Sequence, residues 1–527
     1  MEFDPTTLLQ KLFGPDAGRP GFLAARWLFL RALGLIFFSA FYSLFFQIRG
    51  LIGPQGLLPA QPYLAEVARV LGRERFWYAP TVLWWSSSDR TLLALCVVGM
   101  VASLLLVLNI FPRGMLGISL IAFLSFISAA QDFSSYQSDG MLLEAGFISL
   151  FFAPDGWRPR WGASAPPSRA SRFLLVWLWF RIYFESGVAK MLSHDPEWRN
   201  FTAMDEYYQN GPLPTWIAWY AQHLPHWFHI GSAFLTLALE LVLIFAVCLP
   251  RRTRIVLFFL VTPWQVGIIL SSNYAFLNYL VLALGVLLLD DRFLAWMLRK
   301  EFRADAAASS AEAAAYAARG PAWRTKLQLG VQAFFLAWIF YVTSALLAGM
   351  LFPQAPLPVS PIRALEPFRI ANQFGLFAVM TRGRYEIEFQ GSRDGQTWMP
   401  YPFRYKPQDP RVPPGIYAPY QPRFDWNLWF ASLGGWRENP FVLHTEERLL
   451  SGERDVLQLF AGDPFQGRPP SQVRAILWQY WFTDWGEKRL QGLWWRREQL
   501  GLYAPAIERT ADGKLVVLEW PGVPPSP

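Results

Sequence analysis

Long apolar runs alternate with short polar segments over the first two thirds of the chain. A bilayer core of about 30 Å needs roughly 20 apolar residues in a helix, and most of these runs approach that length. The pattern therefore predicts a polytopic α-helical membrane domain of about nine spans over residues 1–355. The runs cover residues 24–48, 91–111, 114–131, 140–154, 172–192, 229–249, 254–271, 274–290 and 329–351.

The pattern changes after the last apolar run, where a proline-rich linker follows. Residues 356–527 are predicted to form a strand-rich α+β domain outside the membrane. Period-two alternation around Arg393-Asp394-Gly395 predicts a β-hairpin in this domain. The apolar spacing of residues 470–483 predicts a helix.

The distribution of Lys and Arg between the loops predicts the orientation of the spans. If the N-terminus is cytoplasmic, the cytoplasmic loops carry far more Lys and Arg than the opposite loops, as the positive-inside rule requires. An odd number of spans then places the C-terminal domain on the far side of the membrane. The Ala-rich segment 301–320 is predicted to be a surface helix or a linker.

Composition supports the membrane assignment and excludes several other classes of protein. Hydrophobic residues make up 53% of the chain and charged residues 16%, whereas soluble domains carry about 25% charged residues. The net charge of +8 is spread along the chain, so it reflects loop charges and not a nucleic-acid arm. Cys96 and Cys248 both lie in apolar runs, which gives neither a disulfide framework nor a zinc site.

Charged residues inside the apolar runs are the first candidates for a functional site. One charge at the bilayer centre costs about 2.5–3.5 kcal/mol, so such residues face partners or a wet cavity. Six ionisable residues lie in the predicted spans: Arg31, Glu144, Arg181, Glu185, Lys190 and Glu240. Arg181 and Glu185 are four residues apart and can pair on one helix face. Tyr183, Ser186 and Lys190 form a second polar stripe on the same helix.

Two interpretations of this helix remain open. In the first, the charges only fasten helices together, or Lys190 reaches the membrane interface. In the second, Lys190, Tyr183 and Ser186 face a substrate cavity, where a desolvated lysine acts as a base and Glu185 assists it.

A second polar segment, YQSDGMLLEAG, begins at Tyr136 before the short fourth run. Asp139 is a candidate N-cap of that span, because aspartate caps helix starts well. Alternatively, Asp139 or Glu144 pairs across helices with Lys190 or Arg181. Gly140 permits a tight start to the helix.

The histidine-rich segment HLPHWFH is a weak candidate for a metal site. His223, His226 and His229 are spaced by three, but Pro225 interrupts them and no acidic or cysteine ligand completes the set. No nucleotide-binding, α/β-hydrolase or zincin motif is present. The sequence therefore predicts neither a metal nor another cofactor.

Several segments together resemble the lipase maturation factor family, from about residue 20 to about residue 505. They are YQSDGMLLEAGFISLFFAP, RIYFESGVAKMLSHDPEWRNFTAM, YYQNGPLPTWIAWYAQHLP, SSNYAFLNYL, FGLFAVMTRGRYEIEFQGSRDGQTW and APYQPRFDWNLWFASL. The resemblance implies a multi-pass membrane protein, in animals of the endoplasmic reticulum, that helps secreted lipases reach their active assembled form. Short loops make the chain look more like a bacterial member, which would lie in the inner membrane.

A second, shorter likeness concerns the helix that carries Lys190. The stretch FESGVAKMLSHDPEWRNFTAM is similar to vitamin K-dependent gamma-carboxylases, in which Lys190 would match the lysine base and Trp198 a downstream tryptophan. YQSDGMLLEAG stands where those proteins carry an Asn-His pair, so this pair is absent. The expected function is therefore a chaperone-like maturation factor with a client lipase as partner. The alternative is a membrane enzyme that acts on a lipid or quinone-like substrate with Lys190 as base.

Overall fold

The computed structural model describes residues 5–14, 21–162, 166–294, 323–510 and 512–522. The predicted surface helix or linker at 301–320 lies outside the described residues. The first part of the chain is helical, because its long runs of Leu, Phe and Ala satisfy their backbone groups within each helix. Its helices are α1 (Pro5–Phe13), α2 (Leu23–Ile52), α3 (Ala60–Leu71), α4 (Arg75–Tyr78), α5 (Asp89–Val107), α6 (Pro112–Ile127), α7 (Gln137–Phe152), α8 (Arg169–Leu192), α9 (Pro196–Arg199), α10 (Ala203–Asn210), α11 (Trp216–Gln222), α12 (His226–Leu241), α13 (Arg251–Ser271), α14 (Leu277–Gly285), α15 (Asp291–Leu294) and α16 (Trp323–Leu351).

All the apolar runs are largely helical, and five helices of the described residues are long and apolar enough to cross a membrane. These are Leu23–Ile52, Asp89–Val107, His226–Cys248, Arg251–Ser271 and Lys326–Leu351. The other runs form α6, α7, α8 and α14, which are shorter or richer in charge. The chain is therefore a multi-pass membrane protein, while the count of about nine spans stays a prediction.

Contacts at the two ends of helix α2 show at which end of the helix bundle the C-terminal part lies. At its start, the Asp291 carboxylate accepts hydrogen bonds from the backbone N–H groups of Leu23 and Ala24, both at 2.8 Å. At its other end, Arg49 donates to Gln458 at 2.9 Å. The C-terminal part therefore lies at the opposite end of the bundle from Asp291.

The C-terminal part combines a mixed set of short helices with one antiparallel sheet. Its elements are α17 (Ser360–Leu365), β1 (Arg384–Ser392), β2 (Met399–Pro400), α18 (Arg423–Ala431), α19 (Phe441–Leu450), α20 (Arg454–Leu457), β3 (Gln472–Phe482), α21 (Trp485–Gln491), β4 (Trp495–Leu502), β5 (Ala506–Arg509) and β6 (Leu515–Glu519). The strand order is β2-β1-β3-β5-β6, and β4 also pairs with β3. An extramembrane domain that contains strands is thus confirmed.

The hairpin predicted around Arg393-Asp394-Gly395 is confirmed. Strands β1 and β2 pair in antiparallel register, with Gln390 opposite Pro400. Gly395 adopts a φ of +71° in the turn, a conformation that glycine reaches without steric cost. The Asp394 carboxylate accepts backbone hydrogen bonds within the turn and fixes its shape.

The helix predicted for residues 470–483 is wrong, because this segment forms the central strand β3. Strand β3 pairs with β1 over residues 472–480 and with β4 and β5 on its other side. Apolar residues stand at consecutive positions in 475–478 and 480–482, so they lie on both faces of the strand and hide the period-two alternation typical of a strand. Its Val, Ile, Trp and Tyr content favours a strand.

Aromatic contacts hold the C-terminal part against the membrane helices. Phe133 and Phe441 lie with ring centroids 5.6 Å apart, and Tyr136 meets Trp426 edge-on at 5.4 Å. Trp426 belongs to α18, a helix formed by the aromatic segment RFDWNLWFA. One apolar core therefore continues from the membrane part into the C-terminal part.

Candidate functional site

A segment without regular secondary structure, residues 369–381, crosses the end of the bundle and is called the strap here. It lies in the connection between the short helix α17 and strand β1. Backbone outside helices and sheets leaves its N–H and C=O groups without regular partners, so they must bond elsewhere. The charged residues predicted to lie in the membrane supply those partners.

The first group of charges is Glu144 on α7 with Arg181 and Glu185 on α8. Arg181 pairs with Glu144 and also lies 3.4 Å from Glu185. All three side chains are at most 1% exposed. The predicted Arg181–Glu185 pair and the alternative Glu144–Arg181 pair between helices are therefore both present.

The strap completes the hydrogen bonding of this triad. Arg181 donates to the backbone oxygen of Asn372 at 2.6 Å, and the Asn372 N–H donates to Glu144 at 2.9 Å. The N–H of Phe374 donates to Glu185 at 2.7 Å. Each carboxylate thus binds one backbone N–H of the strap, which makes these bonds stronger than bonds between neutral groups.

Gly140 allows the strap to come this close to α7. A Cβ atom at this position would lie 2.7 Å from Asn372 Oδ1, closer than real Cβ contacts. The Asn372 amide instead donates to the Gly140 oxygen at 3.0 Å. The glycine thus serves the approach of the strap, and the helix begins earlier, at Gln137.

Lys190 is buried and fully paired. Its Nζ lies 2.8 and 3.0 Å from the two Glu240 oxygens and donates to the Leu376 oxygen of the strap at 2.9 Å. These contacts use the three protons of an ammonium group. Lys190 is 1% exposed, so its ammonium group is held inside the protein and does not extend into solvent. Ser186 accepts a hydrogen bond from the Leu376 N–H at 3.2 Å.

Further contacts continue along the strap beyond Lys190. The Trp198 indole donates to the Phe377 oxygen at 2.9 Å. The Met380 N–H donates to Asp195 at 2.6 Å, and Asn210 donates to the Thr381 oxygen at 2.8 Å. The whole strap is thus held by side chains from α7 to α10.

Asp139 holds the C-terminal part directly and does not cap its helix. The N-cap position of α7 is Tyr136, without a side-chain cap. The Asp139 carboxylate pairs with both terminal nitrogens of Arg423, at 2.7 and 2.8 Å, and both side chains are almost fully buried. Tyr136 donates to the Arg423 backbone oxygen at 3.2 Å. The predicted N-cap role is therefore wrong.

Tyr183 belongs to a second polar group, which it forms with residues of α13 and α14. Gln265 on α13 donates to the Tyr183 hydroxyl at 2.8 Å, and Asn278 on α14 donates to Gln265 at 2.6 Å. All three line a cavity of about 330 Å³, together with Ser186 and Lys190. The predicted stripe on α8 therefore does face a cavity, although its lysine is paired.

A second cavity of about 640 Å³, called the outer cleft here, lies between the strap, α18 and the bundle. Leu376, Phe377, Tyr207 and Leu277 line both cavities and separate them. The rim of the outer cleft carries exposed apolar side chains, among them those of Val379, Phe430 and Leu433.

The histidines do not come together. His226 pairs with Asp205 at 3.1 Å, while His223 and His229 bond backbone oxygens. Among the residues that the structure describes, no group of three His, Cys, Asp or Glu side chains could hold a metal ion.

Sequence reasoning missed the partners that are uncharged or lie outside the apolar runs. Asn372 and Arg423 lie in the C-terminal part, and Gln265 and Asn278 are neutral residues inside spans. One signal was available for Arg423. Asp139 at the edge of a span needed a basic partner, and too few bases were left in the membrane helices to supply one.

Two family profiles match separate parts of the chain. The profile described as "Lipase maturation factor transmembrane domain" matches residues 24–296, and the profile described as "Lipase maturation factor C-terminal domain" matches residues 370–505.

Full-length relatives match over nearly the whole chain, whereas no solved structure matches it. Lipase maturation factor 1 of Bos taurus is 33% identical, with 96% of this chain and 94% of the relative covered. Lipase maturation factor 2 is 31% identical in Gallus gallus and 32% in Homo sapiens, with 82% of each relative covered. The chain belongs to the lipase maturation factor family.

Proposed function

We propose that this protein is a membrane-embedded maturation factor that helps secreted lipases reach their active assembled form. The observation that carries the proposal is the match to lipase maturation factors over both parts of the chain. A factor of this kind shields apolar surface on folding intermediates, which aggregate through that surface.

The outer cleft is the surface on which a client lipase would bind. Its rim residues Val379, Phe430 and Leu433 are 67%, 45% and 43% exposed. Contiguous exposed apolar side chains mark binding sites on folded proteins. The cleft also lies on the face of the C-terminal part, away from the end of the bundle that carries Asp291.

The orientation predicted from the loop charges fits this proposal. With the N-terminus in the cytoplasm, the C-terminal part and the outer cleft would face the compartment into which lipases are secreted. The Lys/Arg-rich loop that begins near Asp291 would lie on the cytoplasmic side. The separate matches at 24–296 and 370–505 support a domain boundary near residue 355.

The enzyme alternative receives no support from the relatives, none of which is named as an enzyme. Lys190 donates to Glu240 and to the strap, and Glu185 accepts from Arg181 and the strap. A base needs a free lone pair on its nitrogen, whereas a fully paired ammonium has none. These residues hold the strap in place.

The proposal is tested by co-expressing a secreted lipase with the full chain in cells that lack their own maturation factor. The variants Val379→Asp and Phe430→Asp place charges on the rim of the cleft. We expect each to lower the specific activity of the secreted lipase at least about tenfold, the effect of losing about 1.4 kcal/mol of binding. Val412→Asp is the matched control, because Val412 is 57% exposed but lies outside the cleft. Equal lipase activity with the rim variants and the wild type would overturn the assignment of the cleft.

A further inference from the structure

The inner cavity of about 330 Å³ lies between α8, α12, α13 and α14, in the half of the bundle nearer the C-terminal part. The strap closes one side of it with Leu376 and Phe377. Its volume lies at the lower end of the range of about 300–1,000 Å³ that is typical of small-molecule sites. The cavity is lined mainly by apolar side chains with a few polar groups, which is also typical of such sites.

The mouth of the inner cavity lies on the outer face of α13. Gly267 and Leu270 line the cavity, yet Leu270 is 45% exposed on that face. A Cβ atom at Gly267 would meet no atom within 4 Å, so the space in front of it is open. Helix α13 is one of the helices long and apolar enough to span the membrane. A ligand would therefore enter sideways from the bilayer, near the end of α13 that faces the C-terminal part.

The charge of the lining restricts what can bind. Lys190 and Glu240 are the only charged side chains among the described residues that line the inner cavity, and they pair at 2.8 Å. The lining thus carries no net charge. An ionised head group would be buried without a counter-charge, at a cost of several kcal/mol. The geometry favours an uncharged ligand.

Two polar groups that share Gln265 as a partner have hydrogen-bonding capacity left. The Tyr183 hydroxyl accepts from Gln265, and no described residue accepts its proton. Asn278 donates to Gln265, and no described residue donates to its Oδ1 atom. Buried polar groups normally find a partner, because leaving one unpaired costs about 1–3 kcal/mol. The pair offers one donor and one acceptor to a ligand.

We propose that the inner cavity binds an uncharged bilayer lipid of the diacylglycerol class. The ester carbonyl of such a lipid accepts from the Tyr183 hydroxyl, and its free hydroxyl donates to Asn278 Oδ1. An acyl chain leaves the cavity past Gly267 into the bilayer. The site requires no reaction, and it goes beyond the proposed role in lipase maturation. Because Leu376 and Phe377 form a wall of both cavities, the bound lipid also supports the strap beside the outer cleft.

The test uses the full chain in phosphatidylcholine nanodiscs with a diacylglycerol that carries a photoreactive group on one acyl chain. Cross-linked residues are identified by mass spectrometry, and unlabelled dioleoylglycerol or dioleoylphosphatidic acid is added as competitor. Gly267→Trp fills the mouth, and Gln265→Leu removes the polar group that orients Tyr183. Gly231→Trp is the matched control. Gly231 is also an exposed helical glycine with no atom near its Cβ, but it does not line the cavity.

We expect labelling at residues of α8, α13 and α14 that line the cavity, displaced by dioleoylglycerol and not by dioleoylphosphatidic acid. Gly267→Trp and Gln265→Leu should lower this labelling at least tenfold (about 1.4 kcal/mol), and Gly231→Trp should leave it unchanged. Equal labelling of Gly267→Trp and wild type would overturn the proposal, since a lipid that only coats the bundle does not need the mouth. Equal competition by the two unlabelled lipids would overturn it too. The apparent Tm of each variant shows that it is folded, and Gly267→Trp alone decides the result if Gln265→Leu does not fold.

Discussion

The buried ion pair between Asp139 and Arg423 leads to the most specific prediction about stability. The guanidinium of Arg423 binds both carboxylate oxygens, at 2.7 and 2.8 Å, and also donates to the Phe133 oxygen at 2.6 Å. The side chains are 1% and 0% exposed. Removing one partner of such a buried pair leaves an uncompensated charge, which costs about 3–5 kcal/mol. Replacing both partners with apolar residues costs much less.

The perturbation is therefore a double-mutant cycle with Asp139→Leu, Arg423→Leu and the double variant. A domain of about 150–250 residues, such as the C-terminal part, loses about 2–4 °C per kcal/mol, so each single variant should lower the apparent Tm of that part by at least about 6 °C. The double variant should recover at least half of that loss, because neither charge is left unpaired. Thermal unfolding of the full chain in nanodiscs, followed by tryptophan fluorescence, measures all four proteins.

The exposed pair Glu66–Arg69 provides the control for this cycle. Its side chains are 57% and 73% exposed, and surface pairs contribute about 0–1 kcal/mol. Glu66→Leu should therefore change the apparent Tm by less than about 2 °C. If the double variant at Asp139 and Arg423 loses the sum of the two single losses, the residues are not coupled, and the reasoning about a buried pair is refuted.

Three further predictions concern the strap and the C-terminal part. Lys190→Met should lower the apparent Tm, because it leaves Glu240 unpaired. The double variant Lys190→Met/Glu240→Met should recover most of the lost Tm in the same unfolding assay. Gly140→Val should displace the strap, since its Cβ would lie 2.7 Å from Asn372 Oδ1; faster cleavage of the strap by a protease measures this, with Gly231→Val as control. Burial raises the pKa of Asp425 in the C-terminal part from 3.8 to about 7, so the folded state binds more protons than the unfolded state between these values. Wild type should therefore lose stability relative to Asp425→Asn as the pH rises from 4 to 7, by at most about 4 kcal/mol, and the apparent Tm of both proteins across that range measures the difference. Parallel Tm profiles would contradict the assignment to Asp425.

Much of the membrane part could be predicted from its sequence, because the length of an apolar run and the helical spacing of its residues determine the helices in a bilayer. The apolar runs, the pairing of Arg181 with Glu185, and a cavity beside Tyr183 and Ser186 could all be predicted. The spacing of residues on one helix is sufficient for such statements.

What the sequence could not show depends on contacts between distant segments. The helix predicted for residues 470–483 is wrong because strand β3 carries apolar residues on both faces, which hides the period-two alternation of a strand. The strap has no periodicity, so nothing in the sequence pointed to Asn372 as the partner of Arg181 and Glu144. Asp139 was interpreted as a cap because its true partner, Arg423, lies 284 residues further along the chain.

These contacts change the role that we assign to the charged residues of the membrane helices. A sequence with Lys190 and Glu185 on one helix suggests a site for catalysis. In the structure, both residues bind backbone groups of the strap, whose far side forms the wall of the outer cleft. The charges therefore position the surface that we propose to bind clients.

The specific activity of a secreted lipase, co-expressed with paired variants of the full chain, tests the central claim most directly. Lys190→Arg keeps a cation that can pair with Glu240 and donate to the strap but cannot act as a base, whereas Val379→Asp alters only the rim of the outer cleft. We expect lipase activity to be retained with Lys190→Arg and lost with Val379→Asp. Full activity with Val379→Asp, or loss of activity with Lys190→Arg at normal Tm and expression, would contradict the account.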